Sequence, residues 1–392
     1  MNDSTRWDHL KALFEDVCAL TAAERPAFMA RIDDEALRAE VYSLVQALDA
    51  DPSFLEEPID ADTFYLALDQ QAMDAPGDRI GPYTLVRILG SGGMGTVYLA
   101  ERTDGQFSRH VALKLARPGD LRRDRLDHLF HERQVLASLQ HPNIARLFDG
   151  GVAPDGRPFL AMEYVRGLPI DRYCDRQNLT LTQRITLFRS VCAAVQHAHQ
   201  NLVIHRDLKP SNILVDASGE VKLLDFGIAK LLDDPQRSHQ GPVTRTGARL
   251  MTLEYASPEQ VLGQTITTAS DVYALGILLY ELLAGVRPYN LTALSPTQIE
   301  AAICEHDPPR PSMRPELPER AQRLLRGDLD VIVMNALRKQ PERRYASPAH
   351  LSEDLLRFTR KLPISARPDT FSYRASTFVR RHRAAVLATA LT

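Results

Sequence analysis

Cysteine is scarce in this 392-residue sequence: Cys18, Cys174, Cys192 and Cys304 stand far apart, with no C-x-x-C pair. Such spacing argues against a disulfide framework and against zinc, and scattered thiols suit a reducing cytoplasm. A strong charge of one sign is also missing. The formal net charge is −3 at pH 7, so the chain as a whole has no bias towards nucleic acid or an anionic membrane. Met1-Asn2-Asp3-Ser4 lacks a basic start and an apolar run, so no secretory leader is expected. No stretch reaches the roughly 20 apolar residues that span a bilayer. The most apolar interior segment, 274–286, carries Glu281 and reads as a buried core helix.

What is present is the balance of an ordinary globular protein, 44% hydrophobic and 25% charged, which excludes general disorder and collagen-like structure. At about 150 residues per domain, the length allows two to three domains. Charge is unevenly spread. Residues 1–79 hold 6 Lys/Arg against 18 Asp/Glu, whereas 361–392 hold 6 against 1. Within 1–50, Trp7, Leu10, Phe14 and Val17, and again Leu37, Val41, Leu44, Val45 and Leu48, repeat near a 3.6-residue period. That pattern predicts a small acidic helical region used for docking or packing. Thr21 and Glu24 have capping-box spacing, with Pro26 close behind. Residues 51–79, with three Pro-containing turns, read as a linker.

From residue 80 the period changes to strand alternation at 83–86, 96–100 and 111–114. A helix is expected at 126–139. Beyond residue 165 helices dominate, at 181–200, 272–283 and 329–337. A β-rich block followed by a larger helical block predicts two lobes.

Four motifs carry chemistry. Gly90-Ser91-Gly92-Gly93-Met94-Gly95-Thr96-Val97 has a G-x-G-x-x-G frame, in which backbone N–H groups can approach phosphates unobstructed. Taken alone it is weak. A dinucleotide-binding turn would have to open a helix, and here β-branched and aromatic residues follow, so a hairpin over phosphates fits better than either that turn or a ligand-free hairpin. Lys114 lies in an apolar strand, where an ammonium needs an anionic partner or an escape to water. A nucleotide phosphate and the carboxylate of Glu132 are the candidate partners. His205-Arg206-Asp207-Leu208-Lys209-Pro210-Ser211-Asn212 sets a carboxylate, a cation two residues on and an amide five residues on. That set suits phosphoryl transfer: Asp207 to orient a hydroxyl, Lys209 to offset charge, Asn212 to hold a metal. Asp225-Phe226-Gly227 follows an apolar strand at 221–224, 18 residues after Asp207, and an aspartate there can bind magnesium alongside phosphate oxygens.

With these motifs in order, the segment from about residue 80 to about 358 resembles the eukaryotic-type protein kinase domain found in bacterial serine/threonine kinases. The resemblance implies an α+β, bilobal kinase-like fold behind a small all-α N-terminal region. It divides the chain into 1–50, a linker 51–79, a kinase domain 80–360 (small lobe 80–164, large lobe 165–360) and a tail 361–392. It implies ATP and Mg2+ as cofactors. Leu89, Gly90, Ser91, Gly92, Gly93, Met94, Gly95, Thr96 and Val97 are expected to cover the nucleotide. Lys114, fixed by Glu132, is expected on its phosphates, and the backbones of Glu163 and Val165 on its adenine. Asp207, Lys209, Lys114 and Glu132 form the implied catalytic set, and Asn212 and Asp225 the metal ligands. Ser257-Pro258-Glu259 stands where the family usually has A-P-E, with Arg344 nominated as the partner of Glu259. Asp271 matches the aspartate of the central large-lobe helix.

The resemblance further implies activation by autophosphorylation between Asp225 and Glu259, at Thr244 or Thr246, whose phosphate would pair with Arg206. Thr252 is expected to help hold the catalytic aspartate. The expected activity is transfer of the γ-phosphoryl group of ATP to serine or threonine hydroxyls of proteins, in the cytoplasm and with no nucleic-acid partner. Two alternatives stay open. A small-molecule phosphotransferase of the same fold usually lacks the Lys-Pro and S-P-E features, and a pseudokinase scaffold would be favoured by loss of Lys114, Asp207, Asn212 or Asp225. Last, Arg380-Arg381-His382-Arg383 before the apolar residues 384–392 reads as the flank of a membrane helix that the sequence begins and does not complete. Attachment to the inner face of a membrane is therefore an expectation too.

Overall fold

The computed structural model describes residues 74–92, 95–102, 109–116, 139–226, 253–292 and 294–367, with 13, 17, 20, 25–29, 38 and 41 near the N-terminus. Two compact units divide the chain at Asp78/Arg79. In the first, α1 (Arg25–Met29) is a short helix, and Val17 and Val41 from the expected apolar stripes are fully buried. The other stripe residues, Thr21, Glu24 and most of the linker lie outside the described residues.

The second unit opens with a six-stranded antiparallel sheet made of β1 (Arg79–Ile80), β2 (Tyr83–Gly92), β3 (Gly95–Arg102), β4 (Arg109–Leu115), β5 (Leu147–Val152) and β6 (Pro158–Glu163). Their order is β1-β2-β3-β4-β6-β5. Alternation in β4 explains its place: Val111, Leu113 and Leu115 are buried, while Ala112 and Lys114 face the other way. Tyr83, Leu85, Tyr98 and Phe159 complete the small-lobe core.

A three-residue strand β7 (Gly167–Pro169) leads into α2 (Ile170–Arg176) and α3 (Leu181–Gln200). Thr180 caps α3: its hydroxyl accepts from Gln183 N at 3.4 Å and the Gln183 side chain accepts from Thr180 N at 2.9 Å. Next come β8 (Ile213–Asp216) and β9 (Val221–Leu223), which complete a second sheet in the order β7-β8-β9. The remaining helices are α4 (Pro258–Val261), α5 (Thr268–Ala284), α6 (Pro296–Cys304), α7 (Glu319–Leu325), α8 (Asp328–Ala336) and α9 (Pro348–Thr359).

The apolar stretch expected as a buried helix is α5, and it is the centre of the large-lobe core together with α3 and α8. Its Gly276 is there for closeness: a Cβ would stand 2.9 Å from the Ala336 Cβ of α8. Cys174 and Cys192 are buried free thiols in this core, and burial pushes the Cys174 thiol up to about 11.

The packed region continues past the expected boundary at residue 360. Ile364 joins the large-lobe core. Ser365 N and Ala366 N donate to the fully buried Asp354 carboxylate at 2.7 and 2.9 Å. Arg367 Nε lies 3.2 Å from Asp328 Oδ1. No periodic pattern announces this segment, because it is irregular backbone held by the Asp354 and Asp328 carboxylates and by Ile364 in the core. The apolar residues 384–392 lie outside the described residues. Among the described ones, no helix is long and apolar enough to cross a membrane.

Candidate active site

The glycine-rich segment is a hairpin tip. Pairing of β2 with β3 runs through Gly90↔Val97, Ser91↔Thr96 and Gly92↔Gly95, so strand follows strand, and the helix that a dinucleotide-binding turn requires does not form there. Gly95 has φ +126° and a Cβ there would sit 2.2 Å from Leu115 O, so the fold itself demands glycine. Gly90 differs: a Cβ there would meet no atom of the described residues within 4 Å. Leu89, Thr96 and Val97 are half-buried on the same hairpin, and Ser91 is exposed. Gly93 and Met94 lie outside the described residues.

Lys114 does not sit in an apolar core. It projects from the half-buried face of β4, and its Nζ lies 3.0 Å from Asp225 Oδ2, an ion pair that joins the small-lobe sheet to the segment after β9. Glu132, the expected partner, lies outside the described residues. Asp225 has φ +46°, a left-handed conformation uncommon for a residue with a Cβ and tolerated best by Asn and Asp.

The catalytic-loop residues gather on Asp207. Lys209 Nζ lies 3.0 Å from Asp207 Oδ2, and Asn212 Nδ2 donates to the same oxygen at 3.0 Å and to Asp207 O at 2.8 Å. The Asn212 amide nitrogen is committed to these bonds, which leaves its carbonyl oxygen as the atom able to bind a metal. Two hydrogen bonds to the Leu224 backbone tie this group to the Lys114–Asp225 pair. Leu224 N donates to Asn212 O at 2.8 Å, and His205 Nε2 bonds Leu224 O at 2.8 Å.

His205 was legible only as part of its motif; the structure gives it a task. Its ring is fully buried. Asp207 N donates to His205 Nδ1 at 3.3 Å, which makes Nδ1 the acceptor and puts the ring proton on Nε2 towards Leu224 O. Burial lowers its pKa, outweighing the upward pull of Asp271, so the ring stays neutral. Asp271, near the start of α5, takes the loop from below: it accepts from His205 N at 2.8 Å, Arg206 N at 2.9 Å and His199 Nε2 at 2.7 Å. Arg206 is held at φ +66° by this grip.

Ser257 and Glu259 lock the segment beneath. Ser257 N and Ser257 Oγ both donate to Gln260 Oε1, at 2.9 and 3.2 Å, so the serine hydroxyl at this position serves the start of α4. Glu259 and Arg344 form the nominated pair, bidentate at 2.7 and 2.8 Å and almost wholly buried. Burial pushes the Glu259 carboxyl up, and the Arg344 and Ser270 bonds more than offset it, so its pKa is lowered.

The expected hinge, Met162-Glu163-Tyr164-Val165, leaves the end of β6, where Glu163 pairs with Val111 of β4. Its neighbours also include a partner that the motifs did not announce: Lys222 Nζ of β9, 3.0 Å from Glu163 Oε1. The only hint in sequence is a lysine in a strand otherwise apolar. Gly227, Thr244, Thr246 and Thr252 lie outside the described residues.

Known proteins are similar to this chain in sequence and in fold. The family described as "Protein kinase domain" matches residues 83–356. The serine/threonine-protein kinase PknB of Mycobacterium tuberculosis is 39% identical over 291 residues, covering 73% of this chain and 44% of that protein. PrkC of Bacillus subtilis is 34% identical over 285 residues, covering 71% and 41% respectively. The chain thus spans less than half the length of these relatives. Among solved structures, the M. tuberculosis PknI kinase domain matches with a TM-score of 0.53 and 27% identity, covering 72% of this chain and 98% of that one. A two-lobed fold, ion-paired site residues drawn from both lobes and a domain match over more than half of the sequence lead to one family: the chain belongs to the protein kinases, in the bacterial serine/threonine group.

Proposed function

We propose that this chain transfers the γ-phosphoryl group of ATP to serine or threonine hydroxyls of proteins. The observation that carries the reading is the Asp207 carboxylate, gripped by Lys209 and Asn212 and linked through Leu224 to the Lys114–Asp225 pair. The family generally uses ATP with Mg2+. The donor set here suits that ion, since magnesium is usually held by one or two protein oxygens plus substrate phosphates. Asp225 and the Asn212 carbonyl oxygen are the residues that would hold it, and it would supply neutralising charge at the phosphate oxygens.

The chain's own groups do the rest. Lys114 carries the positive charge for the phosphates, and its present partner Asp225 keeps it pointed out of the sheet. Both bonds from Lys209 and Asn212 fall on Asp207 Oδ2, so the carboxylate cannot turn freely and can orient the acceptor hydroxyl and take its proton. Lys209 offsets charge that develops on the transferring group. Glu163 and Val165 offer backbone at the adenine end, and the 89–97 hairpin covers the phosphates. Activation by autophosphorylation at Thr244 or Thr246 belongs to the same reading, as does a cytoplasmic setting, supported by the free thiols of Cys174 and Cys192.

The test is transfer of radiolabel from ATP to a generic basic protein, comparing wild type with Asp207→Asn. Loss of a positioned general base costs about 10²–10⁴-fold in rate, and ADP affinity should be retained. An Asp207→Asn variant as active as wild type would falsify this assignment of roles.

A further inference from the structure

Lys222 belongs to none of the motifs, yet it makes a contact that crosses the site. It sits on β9 opposite Leu214 of β8 and three residues before Asp225. Its Nζ lies 3.0 Å from Glu163 Oε1, with the two side chains 16% and 26% exposed. The other carboxylate oxygen, Oε2, accepts from Arg146 N at 3.2 Å, while Glu163 N donates back to Arg146 O at 2.8 Å. One carboxylate therefore ties together the approach to β5, the end of β6 and the strand that ends next to the metal aspartate.

We propose that Lys222 is a positioning residue for nucleotide binding, acting through Glu163 on the backbone that receives the adenine. The inference rests on the kinase reading above. After Glu163 the chain leaves the sheet and runs as irregular backbone until Gly167, so the direction of the Glu163 carbonyl depends on how firmly Glu163 itself is held. Its amide is fixed by Arg146. Its side chain is held between Arg146 N at Oε2 and Lys222 at Oε1. With Lys222 removed, the carboxylate keeps only the Arg146 N–H and loses its only lysine partner among the described ion pairs, so part of the ordering of the residues after Glu163 falls to the nucleotide, at a cost in affinity. β9 is separately secured: Leu223 N donates to Asn143 O at 2.8 Å and Asn143 Nδ2 donates to Val221 O at 2.9 Å. Asp225 is thus not expected to move when the pair is broken, and the loss should fall on binding more than on turnover.

The experiment measures KM for ATP, kcat and calorimetric ADP affinity for wild type, Lys222→Met, Lys222→Arg, Glu163→Gln and the Lys222→Met/Glu163→Gln double variant. An ion pair of this partial exposure, worth about 1 kcal/mol, corresponds to roughly fivefold weaker nucleotide binding. The expected pattern is that rise in KM for Lys222→Met with kcat changed much less, near-normal binding for Lys222→Arg, and a double variant no weaker than the single ones. Lys222→Gln replaces the Met variant if the latter lacks a cooperative melt. Unchanged KM in the charge-removing variants, or an equal loss in kcat, overturns the proposal. A wild type that neither binds nor uses ATP instead sinks the kinase reading itself.

Discussion

Replacing Arg344 with methionine should be among the most damaging single changes in the large lobe. All five guanidinium donors are used: Nε to Arg338 O, Nη1 to Glu259 Oε1 and Ala269 O, Nη2 to Glu259 Oε2 and Lys339 O, at 2.7–2.8 Å. The Arg344 side chain is 0% exposed and that of Glu259 4%, so solvent cannot replace the lost bonds. Leaving one member of a buried pair costs about 3–5 kcal/mol. For a domain of this size each kcal/mol lowers Tm by roughly 2 °C, giving a drop of about 6–10 °C. Glu259→Met should cost less, because the guanidinium keeps three carbonyl partners. The double variant Arg344→Met/Glu259→Met should cost clearly less than the two singles together, since no buried charge is left alone. Activity should fall as well, because Gln260 of α4 donates from Nε2 to Arg206 O at 3.0 Å, next to Asp207. Urea unfolding followed by circular dichroism measures all three. Strict additivity within about 0.5 kcal/mol, or a single-variant cost as small as that of a surface pair, refutes the reasoning.

The two glycines at the ends of the nucleotide-covering segment should behave differently. Gly95→Ala forces a Cβ against Leu115 O at a positive φ and should lower Tm measurably, whereas Gly90→Ala meets open space and should leave Tm alone while raising KM for ATP; equal melting losses would contradict this. His205 sets a pH dependence. Burial holds its pKa below the ordinary 6.5, so as pH falls through that value the unfolded chain takes up a proton the folded chain refuses. Its stabilisation is complete above about pH 6.5 and is lost below, at up to about 1.4 kcal/mol per pH unit. Denaturant titrations between pH 8 and 5.5 should therefore slope less steeply for His205→Gln than for wild type, and identical slopes rule out this role.

Local signals carried the reading a long way. The helix expected at 181–200 is α3 with the same limits, because its capping residues and apolar period agree with its packing. All but the last two residues of the apolar block 274–286 lie in α5, which is buried on nearly every face. Asp207, Lys209 and Asn212 meet because they share one short loop, and the Arg344–Glu259 pair was nominated from its motif. Contacts across long sequence separations were less legible. Nothing in the local sequence marks Asp225 as the residue that holds Lys114 here, and Lys222 and Glu163 are joined only when β9 and β6 are in place. The His205 proton position depends on Leu224 O, nineteen residues away. The 361–367 segment docks through two backbone amides, one isoleucine and one arginine with no periodic spacing, so no local pattern could reveal it.

The central claim is that charged groups from both lobes form one site for a magnesium-bound triphosphate. Calorimetric titration of the whole chain with ATP, with and without magnesium, tests it most directly when wild type is compared with Asp225→Asn. Wild type is expected to show saturable binding that magnesium strengthens, and the variant to lose that strengthening. Absence of nucleotide binding, or binding indifferent both to magnesium and to Asp225, would contradict it.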